Sequence, residues 1–537
     1  MHRPEAGDDY QQAAQEQGVM ARSTSRGNRL LPTIALACAS YFGPVQAEKW
    51  SLDPYVDTRV TWSDNLELLP GGRSDTLLEA TPGIILRGEG KRFQITGQAA
   101  LTGQYYTEGT LDNRLLPEVG LTANLEAIEN FFFVEGGVTA RQTREDVFGP
   151  NPLGGAAANT QTTTDYRLVP RFEGQITPEL KYQLRSSNDW TVITGAPADQ
   201  NQSYFGDHTL RIERQPIPLG WSFELGRTDN RFENQVPPKA TDDTARIALT
   251  YALTSSFMLG IRGGYEKTNL VLDPDSQEQA IYGGELRWKP SERTNLDWVW
   301  EERFFGPSWH FQFDHRMPRV AWNIGLSRDV QSFAETFLTL PPTNNVFGLL
   351  DAAFTTRFPD PAERTRIVNN LIATQGLPSS LSAPTSLSAQ RVSVVTSRTG
   401  QIVVTGARNS LALGAYSLRT EDLRNPAFGS SLNVLQDGGS VTLSHQATIL
   451  TAINLTGDYR RDRGLGPNAG QNSYQRGAQL QVTQQVASKT TAYVGVRWQS
   501  FDSNSIFGGG VAPPPGTELP YQHATEHAAF VGLGHRF

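Results

Sequence analysis

FQITGQAALTGQYY, running from Phe93 to Tyr106, alternates in polarity along an extended chain. Phe93, Ile95, Ala99, Leu101 and Tyr105 share one face, and Gln94, Thr96, Gln98, Thr102 and Gln104 share the other. The split recurs with Ala478, Leu480 and Val482 against Gln479, Gln481 and Thr483. It recurs again with Phe257, Leu259, Ile261 and Tyr265 against Arg262 and Glu266. Strands with one apolar and one polar face suit a soluble sandwich as well as a barrel. The connections separate the two.

Every second connection is tight, as at Gly88–Arg92, Ala127–Asn130, Thr177–Leu180, Leu253–Ser256, Pro290–Arg293, Arg316–Arg319 and Ala407–Ser410. Most of the others are longer and rich in Gly, Pro, Asn and Asp: Phe148–Thr164, Gly195–Ser203, Phe232–Asp242, Arg424–Gly438, Gly464–Asn472 and Asp502–Tyr521. An up-and-down membrane barrel requires that parity, with short periplasmic turns and long extracellular loops. Greek-key sandwiches have no reason to obey it. The sequence therefore predicts an all-β, transmembrane, antiparallel up-and-down β-barrel of about 22 strands, within roughly 20 to 24. Ser388 to Arg408 is read as one long strand, although Thr399-Gly400 offers a turn.

Composition agrees by what it lacks. No apolar run approaches the roughly 20 residues of a membrane-spanning helix. The net charge of −8 argues against a nucleic-acid partner. Residues 1–47 read as a signal peptide. Arg22, Arg26 and Arg29 precede the apolar Leu30–Phe42, and Val45-Gln46-Ala47 offers a cleavage site. The polar stretch before Met20 reads as an over-called start. Cys38, the single cysteine, lies in the apolar segment, as a lipidation site or an incidental residue, so the mature chain 48–537 has no thiol chemistry.

The C-terminus carries its own signal. Ala529, Val531, Leu533, His535 and Phe537 alternate to a terminal aromatic, the ending that bacterial barrel-assembly machinery reads, so Phe537 is the expected assembly signal. The expected location is the outer membrane of a Gram-negative bacterium, with its lipid and lipopolysaccharide as surroundings. Trp62, Trp190, Trp221, Trp298, Trp300 and Trp498, like the other Trp, fall in predicted strands, as interfacial girdles and plain strand propensity both allow.

The alternation stops once, over residues 334–386. Asp360-Pro-Ala-Glu363 is a helix start, Ile367, Val368, Leu371 and Ile372 form an apolar stripe, and Gly376 with Pro378 ends it. Asn344–Phe354 reads as a second short helix. By parity this helical insert is extracellular, and it serves as a lid, a lumen plug, a partner surface or plain decoration.

Chemistry is sparse. There is no Gly-Lys phosphate loop, nucleophile elbow or zinc helix. His523 and His527 share a face but stand about 13 Å apart, too far for one metal. Glu301 and Glu302 point to opposite faces, and Asp273, Asp275 and Glu278 read as a solvated acidic loop in preference to a divalent-cation site at the outer surface. No catalytic residue, metal or cofactor is expected. One constellation remains, on four successive strands: Arg262 and Glu266; Glu285 and Arg287; Asp297, Glu301 and Arg303; His310, Asp314 and Arg316. Leu286, Trp288, Trp298, Trp300, Phe311 and Phe313 occupy the opposite faces. The pattern puts a mixed ionic patch on the lumen wall, either as an anion-attracting surface or as a brace of ion pairs.

Three segments carry a family likeness: Val56–Asn65, Trp322–Asp329, and Pro359–Arg364 followed by Gly376–Pro378. Together they resemble the outer-membrane proteins associated with PEP-CTERM and exosortase systems, over most of the mature chain. That family defines no catalytic residues. The resemblance implies exopolysaccharide-producing bacteria and a non-enzymatic role as conduit or accessory in exporting surface polymer. The competing readings are a structural or adhesive barrel that displays its loops, and a lumenal glycan or lipid hydrolase.

Overall fold

The computed structural model describes residues 47–151, 159–194, 202–232, 239–271, 277–332, 335–336, 345–355, 357–375, 392–423, 433–505 and 521–537. The targeting segment up to Gln46 with Cys38, the loop residues Asp273 and Asp275, and the helix stop at Gly376 and Pro378 lie outside them.

The strands are β1 (Ala47–Ser63), β2 (Asp75–Gly90), β3 (Phe93–Tyr106), β4 (Arg114–Ile128), β5 (Phe132–Arg144), β6 (Thr160–Thr177) and β7 (Leu180–Thr194). Next come β8 (Gln202–Arg214), β9 (Leu219–Phe232), β10 (Lys239–Thr254), β11 (Phe257–Thr268), β12 (Glu278–Ser291), β13 (Thr294–Arg303), β14 (Gly306–Met317) and β15 (Val320–Ser332). Two helices, α1 (Asn345–Phe354) and α2 (Pro361–Gln375), separate these from β16 (Val392–Thr405), β17 (Asn409–Asp422) and β18 (Val434–Gln446). The last four are β19 (Thr451–Gly464), β20 (Asn472–Ala487), β21 (Thr490–Ser503) and β22 (Gln522–Arg536).

All 22 strands form one sheet, each paired with its neighbours in sequence. The sheet closes where β22 returns to β1, from Tyr55 opposite Arg536 to Ser63 opposite Ala528. Closure leaves no unpaired edge, the condition a sheet must meet to stand in hydrocarbon. Of the segment read as one strand from Ser388, residues 388–391 lie outside the described residues; from Val392 to Thr405 it is a single strand with no hairpin, and Gly400 pairs in register with Ile324 and Ala415. Register shifts recur where strands enter tight turns, at Glu126/Ile128, Gln175/Thr177 and Ala252/Thr254. Such bulges add the twist a hairpin needs. The loop parity has one exception: β13 and β14 are joined on the long-loop end by Phe304-Phe305 alone.

The two faces divide as the alternation requires. Ile261, Leu249, Leu455, Leu480, Val496 and Val531 are exposed on the outside, while their strand neighbours point into the lumen. Strand parity sends all ten Trp outward. Trp50, Trp221 and Trp288 lie near the tight turns, and Trp62, Trp190 and Trp309 near the loops, which places them at the two edges of the apolar band. His535 and Phe537 stack edge to face at 4.8 Å on the same outer face, and the Phe537 N–H donates to Pro54 O.

The insert leaves from the loop end, where β15 finishes, and Ser332 and Glu335 form a reciprocal cap there. The Ser332 N–H donates to the Glu335 carboxylate at 2.8 Å, and the Glu335 N–H to the Ser332 hydroxyl at 3.2 Å. The helices then turn inward. Val346, Leu350 and Phe354 of α1 and Val368 of α2 form one buried cluster with Val403 and Ala412, which are lumen-facing residues beside the tight turn between β16 and β17. Arg364 ties the helices together through Asp351 at 2.8 Å. The insert begins at the long-loop end of the barrel, and its helices form a plug folded deep into the lumen. The apolar faces of the two helices find burial there that no surface loop offers.

Candidate functional site

The lumen has two unlike walls. Along β14 to β20 it is covered: α1 approaches β14, β15 and β16, and α2 approaches β18, β19 and β20. The inward residues Ala321, Thr442, Ser444, Ala452, Asn454 and Thr483 on that side are buried. Small side chains there leave room for helix backbone. Opposite, Thr96, Glu118, Thr122 and Asn124 of β3 and β4 are exposed although they point inward. Two cavities continue this open wall. One, of about 260 Å³, is lined by Gln94, Glu126, Glu135, Arg171 and Arg185; a larger one, of about 760 Å³, is lined by Glu173, Lys181, Gln183, Arg211 and Glu213.

Toward the loop end the barrel narrows around inward-folded connections. Leu68 packs on Phe501 and Ala524, and Val147 and Phe148 on Val434. Asn151 exchanges hydrogen bonds with the Gln475 side chain, across the lumen from its own strand pair.

The charged residues of the patch meet as follows. Arg262 donates to both Glu285 and Glu301 at 2.7 Å. Arg287 meets Asp297 at 2.8 Å. Arg303 is the hub, reaching Glu266, Asp242 and Asp329 at 2.7–2.9 Å. Asp314 accepts from Asn323 and Gln312. Among the described residues, His310 and Arg316 make no ion pair. Sequence reading missed Arg246, which joins Glu301 to Glu224, and it missed Asp242 and Asp329. Alternation gives each of these its face, but only the register reveals which charges meet.

A second ionic centre escaped entirely. Near the closing seam, Arg497 of β21 binds Glu526 of β22 in bidentate fashion, at 2.7 and 3.1 Å. Their side chains are 2% and 0% exposed. Ser63 of β1 donates to the same carboxylate at 2.8 Å, and Gln499 donates to it as well. Nearby, Arg59 pairs with Glu79, which also accepts from Gln104. His523 and His527 sit apart on the outer face, bonded to Asp502 and Asp64 respectively.

The two arginines that define the patch differ in burial. Arg303 is 6% exposed and Arg287 60%. Arg303→Gln should therefore leave three carboxylates without their cation and lower stability by about 3–5 kcal/mol. Arg287→Gln should leave the melting temperature unchanged and shift ion selectivity toward cations, most clearly at low salt. Thermal unfolding and reversal potentials across a salt gradient read the two effects separately; the opposite assignment would mean that the wet and braced ends of the patch are misplaced.

These features define a class: a closed, 22-stranded transmembrane β-barrel with a charged lumen and a resident helical plug. No protein-family profile matches the chain, and no curated protein does. Solved structures are similar at the level of fold. The siderophore receptor PirA from Acinetobacter baumannii matches at 9% identity and TM-score 0.45, over 92% of this chain and 81% of that one. The FrpB iron transporter from Neisseria meningitidis matches at 10% identity and TM-score 0.42, over 90% and 81%. An OccD1 (OprD) variant matches at 10% identity and TM-score 0.31, over 92% and 98%.

Proposed function

We propose that this protein is a non-enzymatic conduit of the Gram-negative outer membrane whose lumen is gated by its own helical hairpin. The observation that carries the reading is the asymmetry of the lumen. The hairpin is seated on one wall by an apolar cluster, and the opposite wall presents exposed polar and charged side chains. A hydrophilic cargo needs such a wall, and a plug held by a modest cluster is removable. The cargo class we assign is a surface polymer, an exopolysaccharide of a PEP-CTERM-linked system. The resemblance of Val56–Asn65 and Trp322–Asp329 supports it, as does a lumen rich in Gln, Thr and Arg–carboxylate pairs that suit sugar hydroxyls and acids. Phe537 is the contact for the barrel-assembly machinery.

Planar bilayers test the reading. Purified mature protein should insert from outer-membrane fractions and give stepwise conductance that an acidic polysaccharide reduces in a concentration-dependent way. Electrical silence combined with binding of cells or matrix to the loops would favour a display barrel instead. Release of sugars or fatty acids from glycan or lipid would favour a hydrolase.

A further inference from the structure

The outer face carries a charge asymmetry that the lumen reading leaves unused. Strand parity points Arg328 (β15), Arg398 (β16), Arg419 (β17), Arg461 and Arg463 (β19) and Arg476 (β20) outward, toward lipid. All but Arg398 lie on the loop side of their strands, and Arg398 stands mid-strand on β16, in one register row with Arg461. Arg328 follows the outward Leu326, Arg461 follows Tyr459, and Arg476 lies just beyond Ala478 and Leu480. The level is that of headgroups. Two register rows hold most of them: Leu326–Arg398–Ser417–Asp437–Arg461–Tyr474, and Arg328–Thr396–Arg419–Leu435–Arg463.

The described acids facing the same way on β15 to β20 are Glu421, paired with Arg419, and Asp437, paired with Arg463; on the adjoining β21, Asp502 also faces outward, opposite Tyr474, and accepts from Tyr521 and His523. Among the described residues, Arg398 and Arg476 are exposed and make no ion pair. Arg461 lies over the Tyr474 ring at 5.1 Å, and Arg328 lies over Phe305 and Trp309 while donating to the Pro307 and Phe305 carbonyls. A quarter-turn away the same level is neutralised from within. Arg227 meets Asp243, Arg231 and Lys239 share Asp229, and Lys267 meets Glu278. Among the described residues the cation surplus is largest on β15–β20.

A guanidinium facing lipid without a counter-charge is costly unless an anion comes to it. A phosphate suits it best, because the planar fork of Arg binds phosphate through two parallel hydrogen bonds. Spacing narrows the class further. Arg398 and Arg461 lie three strands apart in one row, about 14 Å, and Arg419 and Arg463 two strands apart, about 10 Å. That span fits one headgroup with two separated phosphates better than a single phosphodiester. Leu443, Leu455 and Leu480, all exposed below the arginines, offer an apolar bed for acyl chains.

We infer that the β15–β20 face binds a bisphosphorylated glycolipid of the outer leaflet, its phosphates divided between the Arg328/Arg398/Arg419 and Arg461/Arg463/Arg476 groups. The inference rests on the membrane orientation of the proposed function and is independent of cargo, so a barrel without conductance leaves it standing.

The test uses the full mature barrel in neutral detergent, with bisphosphorylated lipid A and its dephosphorylated form as probes, read by native mass spectrometry. The wild type should prefer the phosphorylated lipid by about tenfold or more, and the preference should weaken as salt rises. The variant Arg398→Gln/Arg461→Gln/Arg476→Gln should lose it, while Arg227→Gln/Arg231→Gln on the neutralised side keeps it. Heat-modifiable migration in SDS gels verifies that each variant is folded. The comparison of two lipids on the wild type needs no variant at all. Equal affinity for both lipids, an unchanged preference in the triple variant, or equal binding of phosphatidylglycerol each overturns the inference.

Discussion

Replacing the insert between Ser332 and Val392 by a short Gly/Ser linker should raise single-channel conductance several-fold while the barrel still assembles. Assembly survives because β15 and β16 pair in unbroken register from Val320 opposite Val404 to Ser332 opposite Val392, without help from the helices. Loop-closure entropy also changes slowly with length, so a shorter connection costs little. Conductance rises because the helices fill the tight-turn half of the lumen against β14 to β20. A point variant sharpens the result. Val368→Asp places a carboxylate in a fully buried position among Val346, Leu350 and Val403, at a cost of several kcal/mol unless the hairpin leaves. It should reproduce much of the deletion phenotype in a full-length chain. Unchanged conductance in both variants would reduce the insert to a passive filler.

The second large effect lies at the seam. Arg497→Met should lower stability by about 3–5 kcal/mol, because it strands a carboxylate that is out of reach of water. Glu526 would keep only its bonds from Ser63 and Gln499. Arg497→Met combined with Glu526→Gln should recover most of that loss, since the penalty comes from the unpaired charge and not from the missing pair. Denaturant unfolding in detergent, followed by the shift between folded and unfolded migration, measures both. A double variant no better than the single one would mean that the pair itself holds β21 against β22.

How much of this was legible in the chain follows from the range of each interaction. The sheet was, because period two and turn placement are local: Phe93–Tyr106 shows its two faces without any partner strand. The helices were legible too, since Asp360-Pro361 and the stripe through Val368 are local signals. Their destination was not. It depends on the width of the lumen and on small residues such as Ala321 and Ala412, which sit on strands chosen for other reasons. Parity placed the insert's two ends at the long-loop end and left the path between them open. The charge patch was half legible. Alternation put Arg262, Glu285 and Glu301 on one face, but Arg303 takes partners from β10, β11 and β15, and no spacing rule joins those strands. Arg497 and Glu526 fell in two segments that each read as ordinary strand, so nothing nearby marked them as a buried pair.

The outward direction of every tryptophan has an optical consequence. Indole emission from this barrel originates at the boundary with lipid, and the cavity contributes no indole of its own. Bromine placed on acyl chains, or a spin label at a chosen depth, therefore quenches a signal that reports insertion alone. Changes confined to the cavity, including movement of the hairpin, pass almost unseen in the same spectrum. A single Trp substituted for Phe354 on the inner helix would give the interior its own reporter, read against a background fixed by the membrane.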